Sequence, residues 1–193
     1  LRPLTDTCPK PLLKIGNETL LSNTINFLEQ FGVREVVINV HYLGTKIIEY
    51  LNKKKFNANI VVINEKEKMK KPLDTGGGIL NAIKYFQESF ICINPDTIWS
   101  SKYIKELKHM ENSFFSKNKK CIMLLVNKEK SFDKNFKGDF NFEKGLVTKN
   151  NKEDLRYIYT GLQIVNPDIF SNIDEKVFSM NKIWTKLIKR NEL

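Results

Sequence analysis

Short β-branched runs alternate with helix-patterned stretches through the first 126 residues of this 193-residue chain, and few architectures accept that order. Leu20, Leu21, Ile25, Leu28 and Phe31 recur at helical spacing, with Gly32 as a stop. REVVINV (Arg34 to Val40) then reads as a buried strand. Gly44 to Leu51 reads as a helix with Ile47, Ile48 and Leu51 inward, and NIVVINE (Asn59 to Glu65) as a second strand. A helix from Ile79 to Phe86 is entered through Gly76-Gly77-Gly78. FICINPD (Phe90 to Asp96) is a third strand, Ile104 to Phe115 a helix, and CIMLLV (Cys121 to Val126) a fourth strand. This order predicts βαβ units: an α/β fold with a mostly parallel, mixed central sheet and helices on both faces.

After Val126 the texture changes. GDFNFE (Gly138 to Glu143), GLVTK (Gly145 to Lys149), RYIYT (Arg156 to Thr160) and GLQIV (Gly161 to Val165) predict short strands in a hairpin-rich part that extends the sheet. A last helix runs from Asn181 to Arg190. The length suits a single domain, large enough to hide roughly 70% of its unfolded surface.

Charge narrows the partners. Lys plus Arg number 32 and Asp plus Glu 22, so 32 − 22 = +10. The lysines are spread along the chain, and runs such as Lys53-Lys54-Lys55 lack interleaved aromatics, so nucleic acid is not the expected partner. A positive field serves a small phosphorylated substrate equally well. Cys8, Cys92 and Cys121 stand far apart with no C-x-x-C pair, which argues against a disulfide framework or zinc site and fits a reducing compartment, the cytoplasm. No apolar run approaches the roughly 20 residues of a membrane span.

Four constellations carry potential chemistry. The opening LRPLTDTCPKPLL places Arg2 and Lys10 among Pro3, Pro9 and Pro11, which bias the loop away from helix. Two cations on a stiffened loop suit phosphates as well as they suit solvent. Asp74-Thr75-Gly76-Gly77-Gly78 before a helix predicts close backbone approach and free N–H groups at a helix N-terminus. Asp96 stands at the carboxyl end of a predicted buried strand, where ligands of open α/β sheets bind and where one carboxylate plus phosphate oxygens can hold Mg²⁺. Thr160-Gly161, read as opening the last strand, lets a ligand lie against the backbone or marks a bulge.

In this order the four pieces resemble the sugar-1-phosphate nucleotidyltransferases, the nucleotide-sugar pyrophosphorylases. LRPLT…PKPLL is similar to the second part of that family's opening signature, PLDTGGGI (Pro72 to Ile79) to its base-binding loop, INPD (Ile93 to Asp96) to its strand ending in a metal-binding aspartate, and YTGLQIV (Tyr159 to Val165) to its sugar-side strand. The T-G-G-G-I form, Asn94, Asp96 and Trp99, and Gly138-Asp139-Phe140 are most similar to the N-acetylmuramate-1-phosphate uridylyltransferase branch, with mannose-1-phosphate guanylyltransferases alike.

The resemblance implies a Rossmann-like three-layer fold of nucleotide-diphospho-sugar transferase type, with residues 1–126 as a nucleotide-binding half and 127–193 as a sugar-binding half. It implies a cytoplasmic Mg²⁺-dependent transfer from an NTP to a sugar-1-phosphate, giving an NDP-sugar and pyrophosphate for uses such as the cell wall, in a protein that can assemble as a homo-oligomer. By motif match, Arg2 and Lys10 are catalytic and Asp96 holds Mg²⁺. Leu1, Asp74, Thr75, Gly76, Gly77, Gly78 and Asn94 face the nucleotide, and Gly138, Asp139, Thr160 and Gly161 face the sugar. The chain departs from the pattern in three places. No glycine-rich turn stands ahead of Leu1, Pro95 replaces a usual glycine, and the second metal-binding aspartate is expected beyond Leu193, so truncation at both ends is the expectation. These departures motivate an alternative, a catalytically inactive nucleotide- or sugar-binding regulatory module of the same fold.

Overall fold

The computed structural model describes residues 1–67, 72–133, 135–150 and 154–193. The opening segment holds a single helical turn, α1 (Leu4–Thr7), and a 3₁₀ turn at Lys10–Leu12. This corrects the expectation of a loop wholly out of helix. Pro3 caps α1 and Pro11 lies in the first positions of the 3₁₀ turn, places where a missing N–H costs nothing. Of Arg2, Cys8 and Lys10, the residues that precede the three prolines, Cys8 is shown extended, with φ −122° and ψ 122°.

A small hairpin, β1 (Lys14–Ile15) with β2 (Glu18–Thr19), leads into α2 (Leu20–Phe31). Thr19 and Ser22 form a reciprocal capping box at the start of α2, and Gly32 ends it at φ 107°. β3 (Glu35–Val40), α3 (Gly44–Lys53) and β4 (Asn59–Asn64) follow as a βαβ unit whose strands pair in parallel. α4 (Asp74–Ala82) contains the three glycines instead of following them. Then come β5 (Phe90–Ile93), α5 (Ile104–Ser116) and β6 (Cys121–Asn127). A second hairpin, β7 (Asn141–Glu143) with β8 (Leu146–Thr148), precedes β9 (Tyr157–Val165) and α6 (Met180–Lys189).

The two pieces expected on either side of Thr160-Gly161 are one strand, β9. It lies between β5 and β6, antiparallel to both, so the later part of the chain is threaded into the sheet of the earlier part. β9 also fixes the layers. Leu162 and Ile164 pack with Phe27 and Leu28 of α2 and Leu107, Met110 and Phe114 of α5. Val165 packs on the other face with Met180, Ile183, Trp184 and Leu187 of α6. A third cluster, Leu21, Ile25, Val40, Ile47 and Leu51, closes β3 and β4 against α2 and α3. The result is helix, mixed sheet, helix. Among the described residues no helix is long and apolar enough to cross a membrane.

Two buried polar side chains tie the layers together. Gln163 accepts from Trp184 Nε1 at 3.0 Å and from the Cys121 thiol at 3.5 Å. Burial pushes the thiols of Cys92, to about 11, and of Cys121 upward, so both remain neutral. Glu65 is 7% exposed and accepts from the Leu73 backbone N–H. Burial raises its carboxyl above the ordinary 4.5, while the Leu73 bond and the neighbouring His41 pull the other way.

Gly161 takes φ +90°, and a Cβ there would lie 2.8 Å from Asn94 Cβ. Gly145 takes a similar φ of +81° but has open space around it. Replacing each by Ala separates backbone strain from collision. Gly145→Ala should cost about 1 kcal/mol in chemical denaturation, the strain alone. Gly161→Ala should cost at least about 2 kcal/mol more, because Asn94 is held on both sides. Equal losses would show the Asn94 contact to be unimportant.

Glu65 yields a pH dependence. Its raised value means that ionisation is harder in the folded than in the unfolded chain. Its contribution to stability is therefore fully present below 4.5 and is lost as pH rises through the raised value. The difference in melting temperature between the native protein and Glu65→Gln should change across that interval and level off above it. A pH-independent difference would contradict the assignment.

Candidate active site

The sheet brings the carboxyl ends of β3 and β5 to the opening segment. Tyr42, just past β3, donates from its hydroxyl to Asp6 O at 3.3 Å. Asp96, just past β5, accepts from Lys10 Nζ at 2.6 Å across 86 residues of sequence. Both side chains of that pair remain substantially exposed, at 45% for Lys10 and 40% for Asp96. An exposed pair of this kind is worth at most about 1 kcal/mol. Phosphate oxygens can therefore compete for Lys10, and a cation for Asp96. Leu1, Arg2, Thr5, Lys10 and Tyr42 line an open pocket of about 270 Å³ at this place. Arg2 is exposed and pairs with Asp6 at 3.3 Å.

Asn94 joins this corner to the sugar-side motif. Its N–H donates to Gly161 O at 2.8 Å, and its own carbonyl accepts from Trp99 Nε1 at 3.2 Å. Thr97 Oγ1 donates to Thr160 O, and Thr160 Oγ1 to Leu124 O, each at 2.9 Å. The register between β6 and β9 shifts here. Met123 faces Gln163 and Leu125 faces Tyr159, so three residues of β9 oppose Leu124. Thr160-Gly161 is thus a bulge in mid-strand, stitched to both neighbours. This corrects the reading of the pair as a strand opening: the left-handed φ at Gly161 breaks the ladder without ending the strand.

The glycine motif has an unexpected role. Gly76 N–H and Gly77 N–H both donate to Phe178 O, at 2.9 and 3.0 Å. Thr75 N–H donates to Asp74 Oδ1 at 2.6 Å. The expectation of free N–H groups here is therefore corrected: these three are occupied. A Cβ on Gly76 would sit 2.4 Å from the Phe178 ring, and one on Gly77 2.1 Å from Lys176 O. These glycines admit the 176–178 segment, and Thr75 Oγ1 accepts from the N–H that starts α6, Met180, at 3.0 Å. Gly78 turns inward, its carbonyl accepting from Asn39 Nδ2 at 2.6 Å.

Gly138 and Asp139 serve β9 as well. Gly138 approaches Leu155 O so closely that a Cβ would lie 1.9 Å away, and Asp139 Oδ2 accepts from Tyr159 N–H at 2.9 Å. The structure thus brings Lys10, Asp96, Asn94, Thr160 and Gly161 together directly, with Leu1 and Arg2 beside Lys10. Asp74 to Gly78 stand at α4, linked to that corner through β3. Sequence reasoning did not single out Tyr42, Asn39 or Glu65. Tyr42 and Asn39 sit at the carboxyl end of a predicted strand, the position that singled out Asp96.

Residues 1–183 match the nucleotidyl transferase family. N-acetylmuramate alpha-1-phosphate uridylyltransferase of Caulobacter vibrioides is 26% identical over 193 residues, covering 97% of this chain and 78% of that enzyme. Mannose-1-phosphate guanyltransferase of Saccharomyces cerevisiae is 30% identical over 190 residues, covering 94% of this chain. The chain spans only about half of that second relative, 51%. Among solved structures, HddC from Yersinia pseudotuberculosis complexed with GMP-PN has a TM-score of 0.69 at 24% identity, over 89% of this chain and 73% of that one. The inositol-1-phosphate CTP transferase from T. maritima has a TM-score of 0.74 at 16% identity, over 98% of this chain and 76% of that one. These two likenesses speak to the fold. With the family match running through nearly its whole length, this chain belongs to the nucleotidyl transferase family.

Proposed function

We propose that this chain carries the nucleotidyl-transfer site of an enzyme that joins an NTP to a sugar-1-phosphate, releasing pyrophosphate. The best-supported pair is UTP with N-acetylmuramate-1-phosphate or a related hexose-1-phosphate. The observation that carries the reading is the meeting of Lys10 and Asp96 at the carboxyl ends of the sheet, beside the Asn94–Gly161 seam. The likeness to the Caulobacter uridylyltransferase supports the choice of substrates. The guanyltransferase match makes GTP the competing nucleotide.

In the reaction a sugar-phosphate oxygen bonds to the α-phosphorus while the bond from that phosphorus to the bridging oxygen breaks, and pyrophosphate leaves with the electron pair. No covalent bond to the protein is needed, so positioning and charge neutralisation do the catalysis. Lys10 places a point charge on phosphate oxygens. Arg2, exposed beside it, grips the departing pyrophosphate. Asn94 and the Thr160-Gly161 bulge present a rigid backbone face to the sugar side.

Asp96 suits Mg²⁺. Its carboxylate is accessible and already faces a cation, the Lys10 ammonium. A single accessible carboxylate fits an ion held otherwise by substrate phosphates. When bound, such an ion would neutralise charge on the α-phosphate.

Pyrophosphate release from the full-length protein, measured over UTP, GTP, CTP and dTTP against a panel of sugar-1-phosphates, tests the reading. Turnover should be highest with UTP and an N-acetylmuramate-type substrate. Asp96→Ala and Lys10→Met should each lower kcat/KM by about 100- to 1,000-fold. Melting temperatures should hold within about 3 °C, given how little an exposed pair contributes. Calorimetric binding of nucleotide without turnover on any pair would instead support the inactive regulatory module.

A further inference from the structure

α1 carries nothing that would hold it in place by itself. None of its four residues, Leu4–Thr7, is buried, and a single helical turn does not support itself in water. Thr5 N–H donates to Leu1 O at 3.3 Å and Asp6 N–H to Pro3 O at 3.0 Å, bonds that shape the turn but tie it to nothing else. Two side chains at the β3–α3 corner supply the tie. The Tyr42 hydroxyl donates to Asp6 O at 3.3 Å, and Lys46 Nζ donates to Thr7 O at 2.5 Å. Asp6 and Thr7 end α1, where carbonyls have no partner within the helix.

The backbone of that corner is fixed independently of α1. The chain enters α3 through Leu43 at φ 50° and ψ 32°, the left-handed region that residues with side chains rarely adopt. A Cβ on Gly44 would lie 3.0 Å from Val40 Cγ2, so the turn packs close on the buried end of β3. Tyr42 stands just before this turn and Lys46 just after it, in the first turn of α3. The hold passes on to Arg2, because the Asp6 carboxylate pairs with Arg2 Nε at 3.3 Å. Lys10 is held by other means: its ammonium meets Asp96, and nearby Leu13 O accepts from Leu20 N–H of α2 at 3.0 Å. The opening segment therefore has two anchors, one for each of its cations.

We propose that Lys46, together with Tyr42, is a positioning residue: it docks α1 on the β3–α3 corner and so sets where the Arg2 guanidinium stands, a role that rests on Arg2 gripping pyrophosphate in the proposed transfer. Tyr42 lines the pocket with Arg2 and Lys10, while Lys46 lies outside that lining and acts through α1. A hydrogen bond of ordinary net worth shifts an equilibrium about two- to tenfold. Lys46→Met should therefore lower kcat by about two- to tenfold and leave KM for the nucleotide nearly unchanged, because the loss falls on the step in which pyrophosphate departs. Lys46→Arg, which keeps a long cationic donor, should restore most of kcat.

Kinetics and NMR relaxation on the full-length protein test the docking and its consequence apart from one another. Lys46→Met and Arg2→Ala should be non-additive: with Arg2 already replaced, Lys46→Met should change kcat by less than about twofold. In the double variant Tyr42→Phe, Lys46→Met, backbone order parameters over Leu4–Thr7 should fall from about 0.85 to below about 0.6, while those of β3 hold. Additive losses of Lys46→Met and Arg2→Ala would mark Lys46 as an independent charge and overturn the proposal. So would order parameters of α1 that ignore the double variant, whatever the activity. A native protein without turnover on any substrate pair refutes the transfer and this role in it, and loosening of α1 in the double variant tells that result apart from a failure of the docking.

Discussion

Most of this structure depends on one antiparallel strand threaded between two that run parallel to each other. β9 supplies the shared wall of two apolar clusters and carries the bulge that organises the site. The bulge exists because Gly161 accepts a left-handed φ with Asn94 pressed against it. Any side chain at 161 would push Asn94 away, and with it the backbone that leads to Asp96. Core packing and site geometry thus meet at one residue without a side chain.

The electrostatics follow a different logic from the packing. Buried polar groups such as Gln163 and Glu65 have fixed partners, and they hold layers in register. Lys10 and Asp96 have each other, in a pair open to solvent. Low dielectric makes the first kind costly to disturb, and water makes the second easy to exchange. On the proposed reaction, a site that admits phosphates and releases pyrophosphate needs the second kind at its mouth and the first kind behind it.

Local pattern was legible in the sequence, and long-range pairing was not. The helical spacing from Leu20 to Phe31 and the β-branched runs at Val36 to Val40 and Ile60 to Ile63 appear as elements nearly where expected. Apolar periodicity is a local property and survives folding. Lys10 and Asp96 were each legible as candidates, but their contact spans 86 positions and follows only from the order of strands. The glycine triplet misled for a physical reason. Glycines permit close approach, and sequence does not say whether a ligand or the chain itself approaches; here Phe178 and Lys176 do. Thr160-Gly161 left a strand opening and a bulge both open, because a glycine at a strand boundary and one in a mid-strand bulge look the same in one dimension; the structure selects the bulge.

The occupied N–H groups of α4 decide how labour is divided on the proposed reaction. An anion at Gly76 or Gly77 would have to displace the Phe178 carbonyl, at a cost of two buried backbone hydrogen bonds. No triphosphate gains by that exchange while an ammonium and a guanidinium in exposed, readily exchanged ion pairs stand at the opening segment. On the proposed reaction the charge of the nucleotide would therefore fall to Arg2 and Lys10, and α4 would shape a wall instead of binding phosphate. The arrangement also explains why α4 tolerates three successive glycines despite their poor helix propensity. The bonds to Phe178 and the Thr75–Met180 contact hold the helix from outside, replacing what its own sequence lacks.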